Sequence, residues 1–156
     1  DDAQLRFLSR GHDSASSLKA IRKLKTLPDV NLCVHLMVGL PDETDAQIRK
    51  TAEILSEYKV DGVKLHNLHV LRNTPLEELY RKSLFKPVDL EEYSRKVALF
   101  LENLSPNIAV HRLAAVASRW DELVAPQWTR EKMKTTQFID DFLAAKETWQ
   151  GRCFEV

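Results

Sequence analysis

Residues 31–44 read NLCVHLMVGLPDET, and the fold class turns on how they are read. Apolar side chains alternate: Leu32, Val34, Leu36 and Val38 share one face of an extended segment, and Cys33, His35 and Met37 share the other. Gly39 ends the strand and Pro41 stiffens the turn. Asp42, Glu43, Thr44 and Asp45 then form an acidic, capping-rich helix start. A strand that runs through a glycine turn into a helix N-terminus is where α/β proteins hold small molecules. Glycine at position 39 would let a ligand come close to the backbone.

The same alternation of strand and helix extends both ways. Residues 1–9 predict a short helix, broken at Arg10-Gly11-His12-Asp13. A second helix follows to about 27, capped by Ser14, Ser16 or Ser17, with Leu18, Ile21 and Leu24 on one face. A helix from Thr44 or Asp45 to about Tyr58 carries Ile48, Ala52 and Leu55 as its stripe. After the Asp61-Gly62 turn, residues 63–71 predict a second strand, bounded by Asn73-Thr74-Pro75. A short helix over 76–82 and a longer one from Asp89 to about Leu104 precede a third strand at 108–113. Residues 114–128 read as an irregular connection, Thr129 as the cap of a last helix reaching about 149, and 150–156 as a loose tail. The expectation is one α/β domain over 1–156 with a parallel sheet and right-handed crossovers. So small a sheet leaves an edge bare, which invites pairing with another copy.

Composition narrows the classes further. With 156 residues the chain can bury one sizeable core, and 44% hydrophobic with 29% charged residues is ordinary for a globular domain. Lys and Arg number 23 and so do Asp and Glu, so charge indicates neither nucleic acid nor an anionic membrane. No apolar run reaches the roughly 20 residues that span a bilayer. Cys33 and Cys153 lack metal-ligand spacing, and a reduced, cytoplasmic setting is the expectation. GxGxxG, GxxxxGK[ST] and GxSxG motifs are absent, so neither phosphate loop nor serine-nucleophile elbow is indicated. The chain opens on Asp-Asp in mid-pattern, which suggests a piece of a longer protein.

Several ordered motifs carry a resemblance. HLMVGLPDET is similar to the strand-and-turn motif of radical S-adenosylmethionine (radical SAM) enzymes, where GLPGET or GLPGQT is usual. Ser9-Arg10-Gly11-His12-Asp13 resembles the NRGH segment of the branch with oxygen-independent coproporphyrinogen oxidase and the elongator acetyltransferase. The runs 62–66, 68–71 and 74–76, then His111-Arg112-Leu113, Arg119, Leu123, Ala125-Pro126 and Trp128, resemble the YhcC-type branch. The resemblance implies the carboxy-terminal part of a TIM-like (βα)6 barrel, with residues 115–156 as a terminal extension. It implies S-adenosylmethionine as a small-molecule cofactor and a [4Fe–4S] cluster whose CxxxCxxC ligands lie outside this chain.

Carried over by position, the resemblance assigns cofactor contacts to Arg10, His35, Met37 and Gly39. Arg10 matches an arginine that meets the cofactor's carboxylate or ribose, a task suited to a guanidinium fork. His35 stands where aspartate is frequent; aspartate accepts from both ribose hydroxyls, a neutral histidine from one. Met37 and Gly39 match positions that pack near the adenine. Lys64 and His66 share a strand face and, with His111 and Arg112, form the expected substrate wall, suited to an anion or to proton transfer. The substrate itself stays open. Plainer readings stand beside these: His35 as a hydrogen-bonded core histidine, Lys64 and His66 as solvated strand-end residues, and Arg10 as a helix-end cation. Glu43 reads mainly as macrodipole stabilisation, and Glu77, Glu78, Glu91 and Glu92 as solvated helix faces. Trp120 and Trp128 read as packing residues. A three-histidine metal site from His35, His66 and His111 has no support from local spacing. The alternative function is a non-catalytic α/β module that binds a small anion or a protein.

Overall fold

The computed structural model describes residues 1–117 and 119–155. Ser118, within the expected connection, and Val156, at the end of the expected tail, lie outside the described residues. The chain opens with α1 (Asp2–Phe7) and α2 (Ser14–Lys25), followed by β1 (Cys33–Val38) and α3 (Asp45–Glu57). Then come β2 (Gly62–Asn67), β3 (Val70–Leu71), α4 (Pro75–Arg81) and α5 (Leu90–Asn103). The remainder holds β4 (Ala109–Arg112), β5 (Leu123–Ala125), α6 (Lys132–Ala145) and two 3₁₀ turns.

Strands β1, β2 and β4 form a parallel sheet in the order β1-β2-β4. This is the α/β architecture with a parallel sheet that the alternating pattern requires. One face is apolar. Val38, Val63 and Leu65 pack with Ile48, Ala52 and Leu55 of α3 and with Tyr93, Val97 and Phe100 of α5 in one core. Burying side chains of this size stabilises by about 1.5–3 kcal/mol each, which is why a three-strand sheet can hold two helices on one side. α6 packs on the outside of α5 through Ile139, which has no exposed surface.

The helix starts follow local chemistry. Thr44 and Gln47 make a reciprocal capping box at α3: the Gln47 side chain accepts from Thr44 N–H at 2.7 Å, and Thr44 Oγ1 accepts from Gln47 N–H at 3.3 Å. Asp89 accepts from Glu92 N–H at 2.8 Å, and Thr74 caps α4 with Pro75 in its first turn. At α2 the cap is Asp13, not one of the serines; its carboxylate accepts from Ser16 N–H at 2.7 Å.

Five expectations are corrected. The segment 63–71 is two strands in two sheets: β2 ends at Asn67, and β3 pairs antiparallel with β5. Buried Asn67 ties the break by accepting from Ala115 N–H at 2.8 Å, so the connection 114–128 contains a strand and a 3₁₀ turn. Thr129 does not cap α6; it is buried in a 3₁₀ turn and its hydroxyl donates to Pro126 O at 2.9 Å. Residues 150–155 are pinned rather than loose. Gly151 N–H donates to Leu101 O at 2.9 Å and Cys153 N–H to Glu102 O at 2.8 Å, which satisfies carbonyls at the end of α5. Glu77 is buried, accepts from Asn73 N–H at 2.7 Å and pairs with Arg81 at 2.6 Å.

Candidate functional site

The face of the sheet away from α3 and α5 is polar. In a parallel ladder, paired residues sit side by side about 4.8 Å apart and point the same way. His35 pairs with Lys64, and Met37 with His66. The rings of His35 and His66 stack with centroids 5.5 Å apart and planes 29° from parallel. His35 is exposed, and Lys64 and His66 are half-buried.

β4 completes this face through an irregularity. Val63 pairs with Val110, but Lys64 pairs with Arg112, so one extra residue is inserted at His111. In a regular ladder Arg112 would turn to the helix side; the bulge returns it to the polar face. There a guanidinium N–H donates to His66 Nε2. His111 lies over Gly62, where an added Cβ would come within 2.5 Å of the His111 Nε2. Lys64, His66, His111 and Arg112 are thus gathered on one surface. Burial pushes the His66 imidazolium below its ordinary range, and Arg112, His35, His69 and Lys64 push the same way.

The glycine turn is tightly packed on its core side. Gly39 has φ of +81°, which favours glycine, but its side-chain space is occupied: a Cβ would lie 2.7 Å from Val88 Cγ2 and 3.5 Å from Tyr93 Cδ2. Close packing against Val88 and Tyr93 accounts for glycine at this position. Gly39 N–H donates to Glu43 Oε2 at 2.8 Å. Lys96, buried on α5, donates to Glu43 O at 2.8 Å and approaches the Glu43 carboxylate at 3.7 Å. Burial raises the Glu43 carboxyl against the opposing pull of Gly39 N–H and Lys96. Glu43, half-buried at the cleft, therefore clamps the turn in addition to lying at the start of α3. Lys96 was legible in principle: it falls on the apolar stripe, three residues after Tyr93 and four before Phe100.

Below the β2 break, Asn67 Nδ2 donates to His69 Nε2 at 2.8 Å, and burial lowers the His69 imidazolium. Tyr93, fully buried, donates its hydroxyl to Leu113 O at 2.7 Å, packs in a tilted arrangement against Trp128 with ring centroids 5.1 Å apart, and is pushed up by burial. Trp128 is the packing residue expected, with its indole N–H donating to Val88 O at 3.1 Å, whereas Trp120 is exposed.

A cleft of about 480 Å³ runs along the edge of β1 that carries no partner strand among the described residues. Arg10, His12, His35, Met37 and His66 line it, with Leu40 and Glu43 at the turn. Arg10, His35 and Met37 of the expected cofactor set therefore share one cavity, and His66 joins it to the expected substrate wall. Gly39 is not part of the lining. Among the described residues no group of three or more His, Cys, Asp or Glu is placed to hold a metal ion, the three histidines included. Cys33 is half-buried on β1 and Cys153 is exposed in the tail, and both are free. No helix of the described residues is long and apolar enough to cross a membrane.

Fold and site together define an α/β protein whose parallel sheet has one helix-covered apolar face and one polar face beside a cleft. Residues 60–145 match the radical SAM C-terminal domain, and the chain belongs to that family. It is 33% identical over 150 residues to the uncharacterized protein MJ0486 of Methanocaldococcus jannaschii, a match that covers 96% of this chain and 46% of the relative. To Escherichia coli (strain K12) YhcC it is 30% identical over 142 residues, covering 91% of this chain and 45% of the relative. The chain spans about half the length of the curated relatives it matches. An archaeal Elp3 from Methanocaldococcus infernus shares the fold, with a TM-score of 0.78 at 20% identity over 96% of this chain and 35% of the Elp3 chain. Family membership implies S-adenosylmethionine and an iron–sulfur cluster in the full-length proteins. The two cysteines here do not supply a cluster's thiolates.

Proposed function

We propose that this chain is one wall of a radical SAM enzyme: the carboxy-terminal part of a TIM-like (βα)6 barrel, with its polar sheet face turned to the lumen. The observation that carries the reading is the parallel register that sets Cys33, His35 and Met37 beside Lys64 and His66 on the face opposite α3 and α5. The strand edge of β1 beside the cleft supports it, because a further parallel strand would extend the sheet there.

When bound in the full-length protein, S-adenosylmethionine and a [4Fe–4S] cluster held outside this chain would supply the radical chemistry. The residues here bind and shield. Arg10, at the mouth of the cleft, offers a guanidinium to the cofactor's carboxylate or ribose. Met37 supplies apolar surface for the adenine, and His35 offers a single acceptor to a ribose hydroxyl. Gly39 acts through the shape of the turn, which Glu43 and Lys96 hold. Lys64, His66, His111 and Arg112 form the substrate wall. Alone, the chain is not catalytic, since it has no ligands for the cluster.

Calorimetric titration of the full-length protein with S-adenosylmethionine tests this. Binding that weakens about tenfold or more in Arg10→Ala, the loss of one good contact, is the expected result. A parent chain without CxxxCxxC upstream, or affinity unchanged in Arg10→Ala, overturns it in favour of a binding module.

A further inference from the structure

The polar face carries charge of one sign. Lys64 and Arg112 stand side by side across the ladder, and His35, His66 and His111 surround them. Neither Lys64 nor Arg112 takes part in an ion pair among the described residues. Like charges at paired positions destabilise a sheet. The carboxylate of Glu43 is committed to Gly39 N–H and Lys96. A fold selected for stability alone has no use for this arrangement.

The guanidinium is held with a donor unspent. One terminal nitrogen of Arg112 donates to His66 Nε2, which makes that ring nitrogen an acceptor and the imidazole neutral. Arg112 Nε is buried and has no hydrogen-bond partner. Leaving a buried donor unsatisfied is costly and calls for an explanation, such as a bound water or ion or a functional role. The bulge at His111 is what turns Arg112 to this face, and bulges re-aim side chains beside active sites.

From this juxtaposition we infer that the wall formed by Lys64 and Arg112 binds an anionic group of the substrate, a carboxylate or a phosphate, with His66 as the residue that positions Arg112. The inference rests on the reading above that this face looks into the barrel. A fork-shaped cation beside a point-charge cation on a rigid sheet is the arrangement that fixes such a group in orientation as well as in place.

The test uses the full-length protein with ¹³C-labelled histidine, titrated with inorganic phosphate and with acetate at constant ionic strength held by sodium chloride. The His66 ring signal shifts saturably with at least one of the two anions, while that of His12, outside the wall, does not. Phosphate alone identifies a phosphorylated substrate, acetate alone a carboxylate. Lys64→Met and Arg112→Gln each weaken the titration by about tenfold, the value of one charge-assisted contact. His66→Asn, which keeps an acceptor, retains more affinity than His66→Phe. The same Lys64 and Arg112 variants leave S-adenosylmethionine affinity unchanged, unlike Arg10→Ala. Absence of a saturable shift, equal shifts from chloride, or loss of S-adenosylmethionine binding in Arg112→Gln each overturns the inference. Failure of the unmodified protein to bind S-adenosylmethionine overturns the radical SAM reading and leaves the anion titration to be judged by itself.

Discussion

Gly39 is constrained twice, by its backbone conformation and by its packing. Its positive φ and the Val88 methyl group 2.7 Å from a notional Cβ act together. Gly39→Ala should destabilise by about 1–3 kcal/mol in urea unfolding, and adding Val88→Ala should recover the steric part but not the backbone part. Glu43 and Lys96 form the second residue-scale test. Removing one partner of a buried pair leaves the other charge uncompensated, at a cost of roughly 3 kcal/mol. Glu43→Gln alone should therefore be more destabilising than Glu43→Gln combined with Lys96→Met. Histidines set the pH response. His66 and His69 both have lowered values in the folded state, so the unfolded chain binds more protons between the folded and unfolded values. Their contribution is complete above the unfolded value of about 6.5 and is lost as pH falls through the folded values. A urea midpoint that falls on acidification, less steeply in His69→Gln, is the expected outcome.

At the scale of elements, the starts of α3, α4 and α5 are legible because their chemistry is local, whereas those of α2 and α6 are not where the serines and Thr129 suggest. Thr44 with Gln47, Thr74 with Pro75, and Asp89 all act within one turn of themselves. Thr44→Ala should cost about 1 kcal/mol, read as a shift of the urea midpoint with unchanged slope. The strand over 63–71 was misread for the opposite reason. Nothing within it announces a break; Asn67 ends β2 because Ala115, 48 positions on, brings an N–H to its carbonyl. The second sheet was invisible likewise, since β3 has two residues and its partner β5 has three. The tail misled through its polarity: its anchors are backbone bonds to α5, which leave no side-chain pattern.

For the molecule as a whole, the sheet order makes β2 central and β1 an edge. Amide hydrogen exchange should find Val63, buried and paired on both sides, among the slowest to exchange. Alternate amides of β1 that point to the cleft should exchange quickly. If the bare edge pairs with another copy, their protection will rise with protein concentration; if, as proposed, a neighbouring barrel strand covers them in the full-length protein, it should be high there at every concentration.

The sequence by itself determined the α/β alternation, the parallel sheet, which side chains of β1 share a face, and the family resemblance through the glycine turn. Those features rest on period-two patterning and on capping within a few residues. Only the tertiary structure decided that Val88 fills the space at Gly39, that Lys96 reaches Glu43, and that a bulge at His111 turns Arg112 toward Lys64 and His66. Each of these joins segments far apart in the chain or slips a register by one residue. A linear pattern carries no record of either, because they are set by how the packed elements meet.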